Sequence, residues 1–164
     1  MKVCFIGHRT IEKSDKLISL IKDTVITLIN NGYTTFLFGN KSAFDTLSLE
    51  VVTELKNTYP SIERIYVRSS YKTIEKSYEQ YLLELYDKTY FPSKIENAGK
   101  YSYVERNFEM IDRSNYCVIY YDENYMPPRR KNSRRDVFDY QPKSGTKLAY
   151  NYAVKKGLEI INIL

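Results

Sequence analysis

Small, basic and hydroxyl residues recur directly after the apolar runs of this chain, and together they have the makings of a phosphate cradle. Gly7-His8-Arg9 leaves the run Val3 to Ile6, Gly39-Asn40-Lys41 leaves a second run, Arg68-Ser69-Ser70 a third, and Asp122-Glu123 the run Tyr116 to Tyr121. Ser144-Gly145-Thr146 then opens the last amphipathic stretch. Backbone N–H groups at a helix start, joined by hydroxyls and an arginine, attract an anion, and Arg9, Ser144, Gly145 and Thr146 have that composition. Each also has a plainer use: Ser144 as a helix cap, Arg9 as the partner of a surface carboxylate. Their shared position at strand ends is what points to a ligand.

His8 is the only histidine, which excludes a multi-histidine metal site and leaves no conventional serine or cysteine triad. It either hydrogen-bonds a ligand's ribose or base or satisfies the backbone of its own turn. Asp45, after Phe44, opens a helix, where a carboxylate favours the positive dipole end; capping and a ribose-hydroxyl contact are its two readings. Arg106 and Asn107 come early on a later helix. Asp112 shares a face with Val104 and Phe108, so a hydrogen-bond network with a structural role is expected for it. If a glycosidic bond were cleaved, Asp45, Asp112 and Glu123 are the carboxylates on offer.

The elements that position these groups follow from apolar spacing. Val3 to Ile6 reads as a strand buried on both faces, as in a parallel sheet. Leu17, Ile21, Val25 and Leu28 mark a helix that Gly32 stops. A strand from Thr34 to Phe38 ends at Gly39. Phe44, Leu47, Val51 and Leu55 mark a second helix closed by Pro60, and a third strand follows around Ile65 to Val67. Ile74, Tyr78, Tyr81 and Leu85 predict a third helix with those side chains inward, and a short strand is expected between Tyr90 and Gly99. Val104, Phe108 and Ile111 define a further helix before the strand Tyr116 to Tyr121. A loop from 122 to 143, a helix with Leu148, Ala149 and Tyr152 facing inward, and a strand from Glu159 to Ile163 complete the chain. This alternation predicts one α/β domain over 1–164: a Rossmann-like, doubly wound, mostly parallel sheet flanked by helices on both faces, with ligands outside the strands' carboxyl ends.

Composition narrows the classes further. The 164 residues are 43% hydrophobic, enough for a core and too apolar for a disordered chain. The net charge of +5 belongs to one segment: Arg129 to Arg135 holds five basic residues, and without it 20 basic residues face 20 acidic ones. A solvated surface loop is the simplest reading of that run; a lid over an anion and a contact with nucleic-acid phosphates are the others. Cys4 and Cys117 lie in apolar runs and are expected as buried free thiols, with no metal site. No run reaches the roughly 20 apolar residues of a membrane helix, and the start lacks a secretion signal, so no membrane contact and a cytoplasmic location are expected. Seventeen tyrosines and no tryptophan suit a homo-oligomer interface, while Tyr78, Tyr81 and Tyr152 are expected in the core and Tyr121 and Tyr125 near the rim, where they could stack on a base.

Cys4-Phe5-Ile6-Gly7-His8-Arg9, Phe44-Asp45 opening a helix, Arg106-Asn107 with Met110-Ile111-Asp112-Arg113-Ser114 leading into a strand, and Ser144-Gly145-Thr146 before Tyr152-Ala153 and Gly157 resemble the YpsA-like branch of the SLOG superfamily. The resemblance implies a Rossmann-like domain, related to DprA and LOG proteins, with a pocket for nucleotides or nucleotide-derived ligands. It implies that Gly7, His8 and Arg9 line the site from the first turn, Asp45 from the second helix, Arg106 and Asn107 from the penultimate one, and that Ser144, Gly145 and Thr146 hold phosphate; Gly39 joins them from the second strand end. The phosphoribohydrolases of that superfamily carry a catalytic glutamate three residues after the threonine of a glycine-rich turn. Here Ala149 occupies that position, Pro142 and Lys143 replace the leading glycines, and Ser144 stands where relatives usually have glycine. Alanine neither activates water nor stabilises an oxocarbenium ion. The expectation is a nucleotide sensor or sequestering module needing no cofactor, with an N-glycosidic hydrolase and a nucleic-acid binder as alternatives.

Overall fold

The computed structural model describes residues 1–127 and 144–164, so the basic run Arg129 to Arg135 and the readings attached to it lie outside the described residues. The elements in chain order are β1 (Lys2–Gly7), α1 (Asp15–Asn30), β2 (Thr35–Phe38), α2 (Ala43–Lys56), β3 (Glu63–Val67), α3 (Lys76–Leu85), β4 (Lys88–Tyr90), two 3-10 turns (Ser93–Ile95 and Gly99–Tyr101), α4 (Ser102–Asp112), β5 (Tyr116–Tyr120), α5 (Gly145–Lys155) and β6 (Glu159–Asn162). Among the described residues, three of the five helices start on a serine whose Oγ accepts an N–H of the first turn: Ser14 from Leu17 at 3.2 Å, Ser42 from Asp45 at 3.0 Å and Ser144 from Lys147 at 3.0 Å.

The six described strands form one all-parallel sheet in the order β4-β3-β2-β1-β5-β6. Strand order reverses between β1 and β5, which is where a doubly wound sheet opens a crevice at its carboxyl ends. On one face, the apolar stripes of α1 and α2 bury against Phe5, Phe36 and Phe38, with Leu82 of α3 at the margin. On the other, Met110 and Ile111 of α4 and Ala149 and Ala153 of α5 cover Cys4, Ile6, Cys117 and Ile119. Phe5 stacks on Phe38 with ring centroids 5.1 Å apart, and each fully buried phenylalanine contributes about 1.5–3 kcal/mol. Cys4 and Cys117 are free and buried, side by side in the β1–β5 register; the hydrogen bond between them and burial push the Cys117 thiol well up.

Two expectations need correction. The third helix turns Leu82 inward and leaves Tyr78, Tyr81 and Leu85 exposed, because α3 packs at the sheet margin beside the three-residue strand β4 and meets little apolar surface. A tyrosine stripe at helical spacing resembles a core face yet tolerates water at its hydroxyls. The short strand also comes earlier than expected, at Lys88–Tyr90, and the stretch to Gly99 holds a 3-10 turn at Ser93–Ile95 and the start of the next. Tyr152 is half-buried, stacked on Phe108 at 4.1 Å, and its hydroxyl donates to Asp112 at 2.9 Å.

Ion networks flank the sheet away from the carboxyl ends of the central strands. Asp87 accepts from the Arg64 backbone N–H at 2.8 Å and from Arg64 Nε at 3.2 Å, and pairs with Lys56 at 3.0 Å. Asp112 accepts from Lys94, Lys156 and Tyr152, as expected of a structural carboxylate. Against the cost of desolvation, these bonds hold both carboxyls at about 2. A carboxyl depressed in the folded state contributes stability above its unfolded pKa and loses it as pH falls through the folded value. For Asp87 this lowering is worth something on the order of 2 kcal/mol. Urea unfolding should therefore show stability falling between pH 4 and 2, and Asp87→Asn should start less stable at pH 6 but lose less over that interval. An equal acid loss in wild type and variant would contradict this.

Candidate functional site

Three consecutive residues at the start of α2 tie the rim together. The Ala43 N–H donates to the Arg9 carbonyl at 3.0 Å, Phe44 packs on Gly7, and Asp45 accepts from the Gly39 N–H at 3.4 Å. A methyl group on Gly7 would lie 2.5 Å from Phe44 Cβ, so only glycine lets the helix start approach β1 this closely. Asp45 also accepts from the Lys41 N–H at 3.4 Å and the Ser42 hydroxyl at 3.2 Å. It is 5% exposed; burial raises its pKa, while Arg106 and these donors pull the other way. Its oxygens thus hold the β2–α2 turn, in which Asn40 adopts a left-handed φ of 49°.

Arg106 reaches from α4 across the strand ends. Its Nη1 donates to the Gly39 carbonyl and its Nε to Asn107 Oδ1 at 3.0 Å. A methyl on Gly39 would sit 2.4 Å from Arg106 Cζ, so the guanidinium occupies the space that glycine leaves. Arg106 is 3% exposed, yet both acceptors are neutral, no carboxylate among the described residues forms an ion pair with it, and Nη2 has no acceptor there. Burial pulls its pKa down more strongly than the field of Asp45 raises it. A buried guanidinium in this state has lost water without regaining a full counter-ion.

At the β1 end, the Asp122 N–H donates to His8 Nε2 at 2.8 Å. The same nitrogen lies 3.2 Å from the Asp122 carbonyl, and Nδ1 is buried and unpartnered among the described residues. His8 is 1% exposed, and burial lowers its pKa against the pull of Asp122. Tyr125 stacks on its ring at 3.9 Å, and Tyr121 stacks on Tyr150 at 4.6 Å. Of the two readings for His8, the structure thus shows a backbone bond, made to the facing strand end rather than to its own turn, and leaves Nδ1 unused.

The structure brings Gly39, Asp45, Arg106 and Asn107 into one contiguous network and links it through α2 to Gly7 and the turn holding His8 and Arg9. Arg9 is exposed, and its side chain has no carboxylate partner among the described residues. Ser144 caps α5 and is buried with Thr146, while Gly145 is exposed. Asp112 stands apart, at the end of α4 that leads into the amino end of β5, and Glu123 is exposed after β5. Sequence reasoning missed Tyr66 and Tyr103, whose fields act on Arg106, and Tyr103 also joins it to Lys41 of the expected rim: Lys41 Nζ lies 5.5 Å and Arg106 Cζ 6.0 Å from the Tyr103 ring centroid. The available signal was Tyr66 near the carboxyl end of β3, paired with Phe38 in the β2–β3 register. Among the described residues no group of three or more His, Cys, Asp or Glu could hold a metal, and no helix is long and apolar enough to cross a membrane.

A family model described as the YspA SLOG family, labelled YpsA, matches residues 6–153. The chain belongs to the YspA SLOG family. The matched span runs from β1 into α5 and contains every rim residue named above. No curated protein matches the chain.

Proposed function

We propose that this SLOG protein binds a nucleotide or nucleotide-derived signal at the carboxyl ends of β1, β2 and β5, as a sensor or sequestering module. The observation that carries the reading is Arg106: a buried guanidinium with only neutral acceptors and a free Nη2, at the edge where a doubly wound sheet receives ligands. A phosphate oxygen on Nη2 supplies the missing charge, and two-pronged recognition of phosphate is what guanidinium geometry favours. The start of α5 adds further N–H donors along the same edge, and the unpartnered His8 Nδ1 adds a second polar group. Binding rather than cleavage follows from Ala149, which is fully buried against the sheet and brings no carboxylate to the edge. Asp45 spends its oxygens on the turn, and Asp112 lies elsewhere.

Thermal unfolding with mononucleotides, NAD, ADP-ribose and cyclic nucleotides tests the reading. A ligand at about 100 times its Kd should add roughly 2.7 kcal/mol, and the same mixtures should release no free base. Turnover to free base, abolished by changing one carboxylate, would replace it with an N-glycosidic hydrolase. Stabilisation by none of these compounds would overturn it.

A further inference from the structure

We infer that the Tyr125 ring is a stand-in for the ligand's base: it lies on the His8 imidazole in the ligand-free protein, and a bound nucleotide stacks its own ring there once Tyr125 has swung away. The inference rests on the nucleotide reading above and adds where the base sits and what competes for that seat. A tyrosine stacked on a histidine is ordinary packing and by itself indicates nothing. Here the imidazole is fixed without it. The Asp122 N–H reaches His8 Nε2 at 2.8 Å, and the rings of Tyr120 and Tyr121 flank the imidazole with centroids at 6.3 and 5.9 Å. Those two tyrosines pack into the cores on opposite faces of the sheet, whereas Tyr125 belongs to neither core. Its ring lies 3.9 Å from His8 at 20°, and its hydroxyl shares an exposed hydrogen bond of 3.0 Å with Thr10 Oγ1. A turn after β5 carries it, closed by the Tyr125 N–H on the Asp122 carbonyl at 3.2 Å, and Glu123, Asn124 and Met126 around it are exposed. The seat is built into the sheet, while its cover hangs on one stack and one exposed bond.

The seat is also unfinished. His8 is 1% exposed, yet its Nδ1 has no partner among the described residues. Tyr125 covers the face of the ring and offers that nitrogen nothing, its hydroxyl being spent on Thr10. A buried ring nitrogen without a partner carries a desolvation cost, which a better occupant recovers. A nucleotide is such an occupant. Its base matches the flatness of the phenol, and bases of every kind stack on an aromatic face. The sugar beside the base brings hydroxyls, which serve Nδ1 in either tautomer because a hydroxyl both donates and accepts. Displacing Tyr125 also frees the Thr10 hydroxyl for the same ligand. Strands β1 and β2 are neighbours in the sheet, so the turn that holds His8 adjoins the Gly39 turn that Arg106 grips.

Two measurements on the full chain test this. His8 is the only histidine, so its ring protons give a single set of NMR signals. In the ligand-free protein they should show a nuclear Overhauser contact with the Tyr125 ring, and saturation with the preferred monophosphate among AMP, GMP, CMP and UMP should replace it with a contact to base protons. In calorimetric titration of the same four compounds, Tyr125→Ala should tighten binding about 10-fold, as removal of a cover shut roughly nine-tenths of the time would. Tyr125→Phe, which keeps the stack and loses the Thr10 bond, should tighten it about 2-fold, and it keeps the test open if unfolding curves show that Tyr125→Ala does not fold. Ribose 5-phosphate, having no ring to seat, should bind wild type and both variants alike. If nucleotides bind while the His8–Tyr125 contact persists, or bind neither variant better than wild type, Tyr125 is a fixed part of the structure and this inference falls alone. A gain shared by ribose 5-phosphate would make Tyr125 a barrier to entry instead of a stand-in for the base, and would overturn it likewise. If wild type binds no monophosphate, the nucleotide reading falls and takes this one with it.

Discussion

Arg106→Met should abolish nucleotide binding without lowering the thermal midpoint of the ligand-free protein. Methionine keeps the length and apolar stem of arginine, so the space beside Gly39 stays filled. What disappears is a charge whose desolvation outweighs the attraction of Asp45, together with the bonds to the Gly39 carbonyl and Asn107. Removing a buried charge that forms no ion pair relieves its desolvation cost, so the stability of the ligand-free protein should hold or rise. The phosphate, in contrast, loses its charged partner and meets an apolar surface, which corresponds to about 100-fold or more in affinity. A gain or tie in ligand-free stability paired with lost affinity is the signature of a residue kept for its ligand. A fall of several kcal/mol in the ligand-free protein would instead make Arg106 a structural clamp on the β2–α2 turn.

Gly7→Ala should produce the largest loss of stability of any single methyl added to the rim. The new carbon would lie 2.5 Å from Cβ, Cγ and Cδ1 of Phe44. Phe44 has no room to retreat: it is fully buried, with Phe5 at 6.4 Å and Tyr120 at 5.7 Å between ring centroids. Overpacking of this kind costs about 3 kcal/mol, or very roughly 6–12 °C in Tm for a domain of this size. A double-mutant cycle identifies the cause. In a Phe44→Ala background, itself destabilised, the same methyl should cost under about 1 kcal/mol, because the atoms it strikes are gone. An equal cost in both backgrounds would mean that the β1 turn resists a side chain for another reason.

The elements were legible in the sequence wherever burial is two-sided or sharply amphipathic. Val3 to Ile6 and the Leu17-Ile21-Val25-Leu28 stripe carry their structure in their spacing because the central strands and α1 meet apolar surface along their length. The third helix misled for the opposite reason: at the margin of the sheet only Leu82 faces a core, and the tyrosine spacing carries no packing information. The candidate site was half legible. Small and basic residues after strands identify the edge, since topology alone brings strand ends together. Whether Arg106 is paired, which nitrogen of His8 is used, and that Tyr125 covers the imidazole depend on contacts between residues some 70 to 120 positions apart, which no local pattern encodes. Asp45 shows the limit most clearly. The helix-start position was readable, but its grip on the Gly39 and Lys41 N–H groups depends on the turn's path, with Asn40 in the left-handed region.

A crystal structure grown with a nucleoside monophosphate identified by thermal unfolding tests the account most directly. It should show a phosphate oxygen within hydrogen-bond distance of Arg106 Nη2, with the bonds to Gly39 and Asn107 retained. A phosphate bound away from Arg106, its guanidinium still without a negative partner, would contradict it.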